Sequence, residues 1–200
     1  NVLVAGCGTG QHAITTATKY KNSFVTAIDL SSKSLCYAKR KADELDIKNI
    51  EFIEMDILDL KNYKKKFEII ESVGVLHHMK EPITGWQILS NILKPHGLLM
   101  IGLYSEKARQ HIKRIRSIIK NLNYEINDKN IKLLRNEIII TDTEDNNLIK
   151  DSTDFYSLST LRDLLFHVQE HTFSIPQILQ NINKLDLKFC GFENRHILNL

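Results

Sequence analysis

Val2-Leu3-Val4-Ala5-Gly6-Cys7-Gly8-Thr9-Gly10-Gln11 is the stretch that decides how this chain folds. Four apolar residues in a row, ended by glycines at alternate positions, describe a short strand buried on both faces that breaks into a tight turn. Helical spacing follows from His12 to Tyr20. The same alternation then repeats: strands are expected over Phe24 to Ile28, Ile50 to Met55, Phe67 to Glu71 and Leu98 to Tyr104. Between them, Ser31 or Ser32 caps a helix with Leu35, Ala38, Ala42 and Leu45 on one face. Pro82 opens another, with Ile83, Trp86, Leu89 and Leu93 as its buried stripe, and Lys94-Pro95-His96-Gly97 reads as a turn. Strands joined by helices of this length pair in parallel through right-handed crossovers. The expected fold class is α/β: a Rossmann-like, doubly wound, mostly parallel sheet between two helical layers.

After Tyr104 the rhythm turns helical. Ala108, Ile112, Ile115, Ile118, Ile119 and Leu122 form one apolar stripe. Ile131, Leu134 and Ile138 suggest a second helix, although Ile138-Ile139-Ile140 equally fits a strand. Thr141 to Thr153, polar and acidic, reads as an exposed loop. Leu161, Leu164, Leu165 and Val168 define a further helix, Ser174 caps one reaching Leu185, and Leu187 to Phe192 reads as a returning strand. The expected organisation is a cofactor-binding core over 1–104, a helical insertion over 105–185 that serves as a substrate lid, and a return to the core over 186–200.

Composition narrows the classes of function. Of 200 residues, 42% are hydrophobic and 26% charged, which excludes a disordered or fibrous chain. No apolar run approaches the roughly 18 residues of a membrane span. Without a signal peptide, the expected location is the cytoplasm. Three cysteines at no metal-like spacing suit a reducing compartment. The net charge of +3 is concentrated in residues 105–125, with 6 basic and 2 acidic groups. That segment is either a solvated helix face or a footprint for an acidic partner, so charge alone leaves nucleic acid open.

Glycines directly after a first strand let the backbone turn sharply and let a ligand approach without meeting a Cβ. Asp29 ends the second strand about 20 residues on, where nucleotide-binding folds hold a ribose diol. Asp56 ends the third strand on the same rim. The dinucleotide fingerprint wants glycine where Gln11 stands, and no Lys-Ser or Lys-Thr follows the glycines as a phosphate loop requires. What remains is a nucleoside ligand without phosphates to cradle.

Together with VLVAGCGTGQ, the segments Ala27 to Ser31 (AIDLS), Glu54 to Asp59 (EMDILD), Phe67 to Met79 (FEIIESVGVLHHM) and LKPHGLLMI, which ends at Ile101, resemble class I S-adenosylmethionine-dependent methyltransferases in content and order. Residues 105–185 further resemble uncharacterised bacterial methyltransferase domains, some fused to tetratricopeptide repeats. The resemblance implies S-adenosyl-L-methionine as cofactor, with Gly6, Gly8 and Gly10 along its methionine part. It implies Asp29 on the ribose hydroxyls, Asp56 on the adenine amine with Ile57 beside the ring, and backbone around Ser72 and Val73 on the amino group. Against that family both ends look truncated, and the chain is expected to be part of a longer protein.

The remaining candidates concern the acceptor. His77, His78 and Glu71 follow or end the fourth strand, where a proton-accepting group would stand. Arg109, Arg114, Arg162 and His167 are candidate acceptor contacts from the insertion, and arginine forks would favour an anionic group on a small-molecule acceptor. Cys7 reads as a packing residue. His167 and His171, four apart on an expected helix, have zinc-like spacing but no third ligand, so no metal is expected. The rival classes are a catalytically silent cofactor-binding scaffold and a dinucleotide-dependent oxidoreductase.

Overall fold

A computed structural model describes residues 1–122, 125–167 and 169–193. Five strands, β1 (Val2–Ala5), β2 (Val25–Asp29), β3 (Ile50–Glu54), β4 (Phe67–Val73) and β5 (Leu93–Gly102), form one sheet in the order β3-β2-β1-β4-β5. Every neighbouring pair is parallel. The winding runs outward from β1 to β3 on one side and from β4 to β5 on the other, so it reverses between β1 and β4.

All four residues of β1 are buried, as a strand covered on both faces requires. Successive side chains point to opposite faces. Leu3 and Ala5 join an apolar cluster with Phe67, Ile70, Trp86 and Leu89, whereas Val2 and Val4 join another with Ala13, Ala17, Val25 and Leu35. The second cluster is completed by α1 (Gln11–Lys19) and α2 (Ser32–Glu44), the first by α3 (Pro82–Asn91). Ser31 Oγ accepts the Ser34 N–H at 3.2 Å and so starts α2, and Pro82 occupies the first turn of α3.

The stretch expected as a turn before the fifth strand lies inside β5. Phe67 stands opposite Leu93 but Ile69 stands opposite Leu98, so Lys94 to Gly97 bulge out of the ladder. His96 takes a left-handed φ of 63°, and the Lys94 ammonium, 2.5 Å from Glu68, pins the bulge to β4.

A second compact unit spans Tyr104–Ser174. It holds α4 (Gln110–Asn121), α5 (Asp128–Ile140), α6 (Glu144–Lys150) and α7 (Leu158–Phe166) around its own core, in which Ile131, Ile149 and Leu161 are fully enclosed. Ile138 to Ile140 therefore end a helix. The expected loop over Thr141 to Thr153 instead contains α6, because Thr143 Oγ1 caps it and Ile149 anchors it. Val168 lies outside the described residues.

The helix α8 (Ile175–Lys184) belongs to the first unit, where Ile182 and Leu185 are buried with Trp86. The second unit therefore ends at Ser174 and not at the expected 185. The strand expected over Leu187 to Phe192 is absent: these residues take no ladder position, and Phe189 and Phe192 pack on each other with ring centroids 5.1 Å apart. Residues 194–200 of the expected return to the core lie outside the described residues. No described helix is long and apolar enough to cross a membrane.

Candidate functional site

Open parallel sheets bind ligands beyond the carboxyl ends of their strands, at the point where the winding reverses. A cleft of about 460 Å³ opens there, lined by the Gly6–Thr9 loop with Val4, Gln11, His12, Thr15 and Val73. That lies within the roughly 300–1,000 Å³ typical of small-molecule sites.

Backbone hydrogen bonds fix the loop. The Gly6 and Cys7 N–H groups both donate to the Ile28 carbonyl, at 2.8 and 2.9 Å, and Gly10 N–H donates to the Cys7 carbonyl at 2.9 Å. Asp29 completes the anchorage: Oδ2 accepts the Gly8 N–H at 2.7 Å and Oδ1 accepts the Ser31 N–H at 2.9 Å. One carboxylate thus ties the loop after β1 to the start of α2.

The three glycines serve different purposes. A Cβ on Gly6 would come within 2.2 Å of Val75, and one on Gly10 within 2.4 Å of Ala38, so those two admit close packing. Gly8, at φ 53°, would meet nothing within 4 Å. A Cβ there would stand in open space, and Gly8 lines the cleft, so its bare backbone is open to a closely approaching ligand.

The other expected cofactor contacts are spread along the same rim. Asp56 precedes a short 3-10 turn (Ile57–Asn62) and its Oδ1 accepts the Leu58 N–H at 2.8 Å. Ile57 is buried in the Leu3 cluster. The Ser72 hydroxyl is buried and donates to the Ala5 carbonyl at 3.2 Å, while Val73 is exposed and lines the cleft.

Two of the three groups expected to handle protons sit differently from expectation, and the third, His78, is half-buried. His77 is 1% exposed, which places it in the interior and not at a rim, with its ring against His78 at 4.2 Å between centroids. Glu71, also expected at the rim, is 5% exposed. It accepts from Thr16 Oγ1 at 2.5 Å and lies 2.9 Å from His12 Nε2, off the line of a hydrogen bond. His12 is a cleft residue that the sequence reading missed, as are Thr9, Gln11 and Thr15. The signal for His12 was a lone histidine two residues past Gly10, where the first helical turn must face the same opening. Burial, aided by the charge of Asp29, pushes the Cys7 thiol up to about 12, so it stays protonated and unreactive.

Within the second unit the four candidate acceptor residues are each engaged by a different partner. Arg109 forks onto Glu170 and lies 3.7 Å over the Tyr104 ring. Arg114 pairs with Asp145, and Arg162 reaches Asp128 at 2.5 Å. His167 Nδ1 accepts the Gln169 N–H at 3.2 Å. α7 ends at Phe166, so His167 and His171 do not share a helix and their zinc-like spacing has no helical face behind it. Among the described residues no three His, Cys, Asp or Glu side chains stand together as a metal site.

An uncharacterised protein of Synechococcus sp. is 29% identical over 202 residues, 97% of this chain and 48% of that protein. The probable (S)-tetrahydroprotoberberine N-methyltransferase 2 of Papaver bracteatum is 30% identical over 110 residues, 55% of this chain and 30% of that protein. PKMT2 from Rickettsia typhi, solved in complex with AdoHcy, shares the fold, with a TM-score of 0.73 and 21% identity over 99% of this chain and 42% of its own. The chain thus spans about half, or less, of the length of these relatives. A family model described as a methyltransferase domain matches residues 1–159, taking in the whole sheet and the glycine loop. The chain belongs to that methyltransferase-domain family.

Proposed function

We propose that this domain binds S-adenosyl-L-methionine in the glycine-loop cleft and transfers its methyl group to a small-molecule acceptor. The observation that carries the reading is the pairing of an open Gly8 with a pre-positioned Asp29 at the reversal of the sheet. When bound, the cofactor supplies an electrophilic methyl group on its sulfonium. The protein then has to bind, orient and exclude water.

The Gly6–Thr9 backbone would run along the methionine part. Asp29 has roughly four lone-pair directions, of which two are taken by N–H groups, leaving acceptors for two ribose hydroxyls. Asp56 would take the adenine amine, with Ile57 below the ring, and the backbone at Ser72 and Val73 the ammonium. Of the three groups considered for proton removal, half-buried His78 is the one not enclosed by the core.

A small acceptor is favoured over nucleic acid because the basic helix α4 spends its arginines internally, Arg114 on Asp145 and Arg116 on Glu170. The same pairing removes the support for an anionic acceptor. A relative named for N-methyl transfer to (S)-tetrahydroprotoberberine points the same way on size. Three unpaired cysteines support a reducing, cytoplasmic setting. The test is mass spectrometry of a cell extract treated with the protein and methyl-labelled cofactor. A labelled small molecule is expected; cofactor binding without any labelled product would leave a silent binding domain.

A further inference from the structure

We infer that His12, backed by Glu71, binds the carboxylate at the amino-acid end of the cofactor; this rests on the reading of the cleft as an S-adenosylmethionine site. The starting point is a buried charge. Glu71 sits on β4 beside Val4 of β1, and a carboxylate there is tolerated only if it is paired and hydrogen-bonded. Both close partners come from α1: the Thr16 hydroxyl at 2.5 Å and His12 Nε2 at 2.9 Å. Lys19, farther along the same helix, also acts on Glu71 through its charge.

His12 is the part of this cluster that reaches a ligand. Its side chain is 41% exposed and lines the cleft, while Nε2 is buried against Glu71, so Nδ1 is the ring nitrogen left to the cleft. Among the residues lining the cleft, it is the one whose side chain can carry positive charge. It also stands in the first turn of the nine-residue α1, whose N-cap is Gly10, so no cap side chain satisfies the first N–H groups. That helix end is electropositive. At the other side of the loop stands the Asp29 carboxylate. An amino-acid carboxylate placed in this cleft is therefore drawn toward His12 and repelled from Asp29. Glu71 acts as a positioning residue, its carboxylate 2.9 Å from Nε2 fixing the ring so that Nδ1 is left to the ligand.

Three ligands separate the possibilities when titrated calorimetrically into the full chain and into His12→Ala. They are S-adenosylhomocysteine, its decarboxylated analogue and methylthioadenosine, which lacks the whole amino-acid end. Loss of a charge-assisted hydrogen bond should weaken S-adenosylhomocysteine roughly tenfold or more. The decarboxylated analogue and methylthioadenosine should bind both proteins equally, which also shows that the variant is folded. Unchanged S-adenosylhomocysteine affinity, or an equal loss for the decarboxylated analogue, overturns the inference while leaving the cofactor site intact. If the unaltered protein binds none of the three, the cofactor reading itself fails, and the inference with it.

Discussion

Asp29 accepts hydrogen bonds from Gly8 and Ser31 before any ligand arrives, so its carboxylate is already aimed and its entropy already spent. Asp29→Ala should lower S-adenosylmethionine affinity at least roughly tenfold, since one charge-assisted bond is worth about 1.5–3 kcal/mol. Calorimetry with circular dichroism as the folding control reads this out. Gly8→Val forces a branched side chain into a left-handed φ and into the open cradle, so it should abolish binding while leaving a folded domain. Cysteine chemistry offers an independent check. Cys36 and Cys190 are exposed whereas burial holds the Cys7 thiol near 12, so alkylation of the native protein at pH 8 should label two of the three. At this scale the glycines and Asp29 were legible because their spacing along the chain carries the chemistry. The different purposes of Gly6 and Gly10 were not, because they depend on Val75 and Ala38, which only the fold brings near.

Elements with strong apolar periodicity were legible; those set by a cap or a lateral partner were not. α6 has only seven residues and a polar face, and its formation rests on the Thr143 cap and the burial of Ile149. Thr143→Ala should cost about 1 kcal/mol in the second unit, measured by denaturant unfolding. Residues 187–192 look like a strand, but a strand exists only where a neighbour offers a ladder, and none does here. In the second unit Glu170, 4% exposed, is shared by Arg109 and Arg116. Burial alone would raise its pKa, yet the hydrogen bond from Arg109 and the charges of both arginines outweigh that and hold it below 4.5. Its contribution is therefore complete above the ordinary carboxylate range and is lost as the pH falls through the depressed folded value. Glu170→Ala, which strands two half-buried guanidinium groups, should destabilise this unit by about 3–5 kcal/mol. Glu170→Gln should flatten the acid limb of its stability profile.

The whole chain divides into a sheet unit that carries the cleft and a helical unit with its own core. Family membership was legible because five segments of the sheet unit keep their order. The acceptor was not, because candidates such as Arg109 and Arg114 are common surface residue types whose partners, Glu170 and Asp145, lie far along the chain. The central claim is that the glycine-loop cleft is an S-adenosylmethionine site. It is tested most directly by titrating S-adenosylmethionine and NAD separately into the unaltered protein and into Gly8→Val. Saturable binding of S-adenosylmethionine to the unaltered protein alone, with no heat from NAD in either, is the predicted result; binding of NAD, or S-adenosylmethionine binding that survives Gly8→Val, would contradict it.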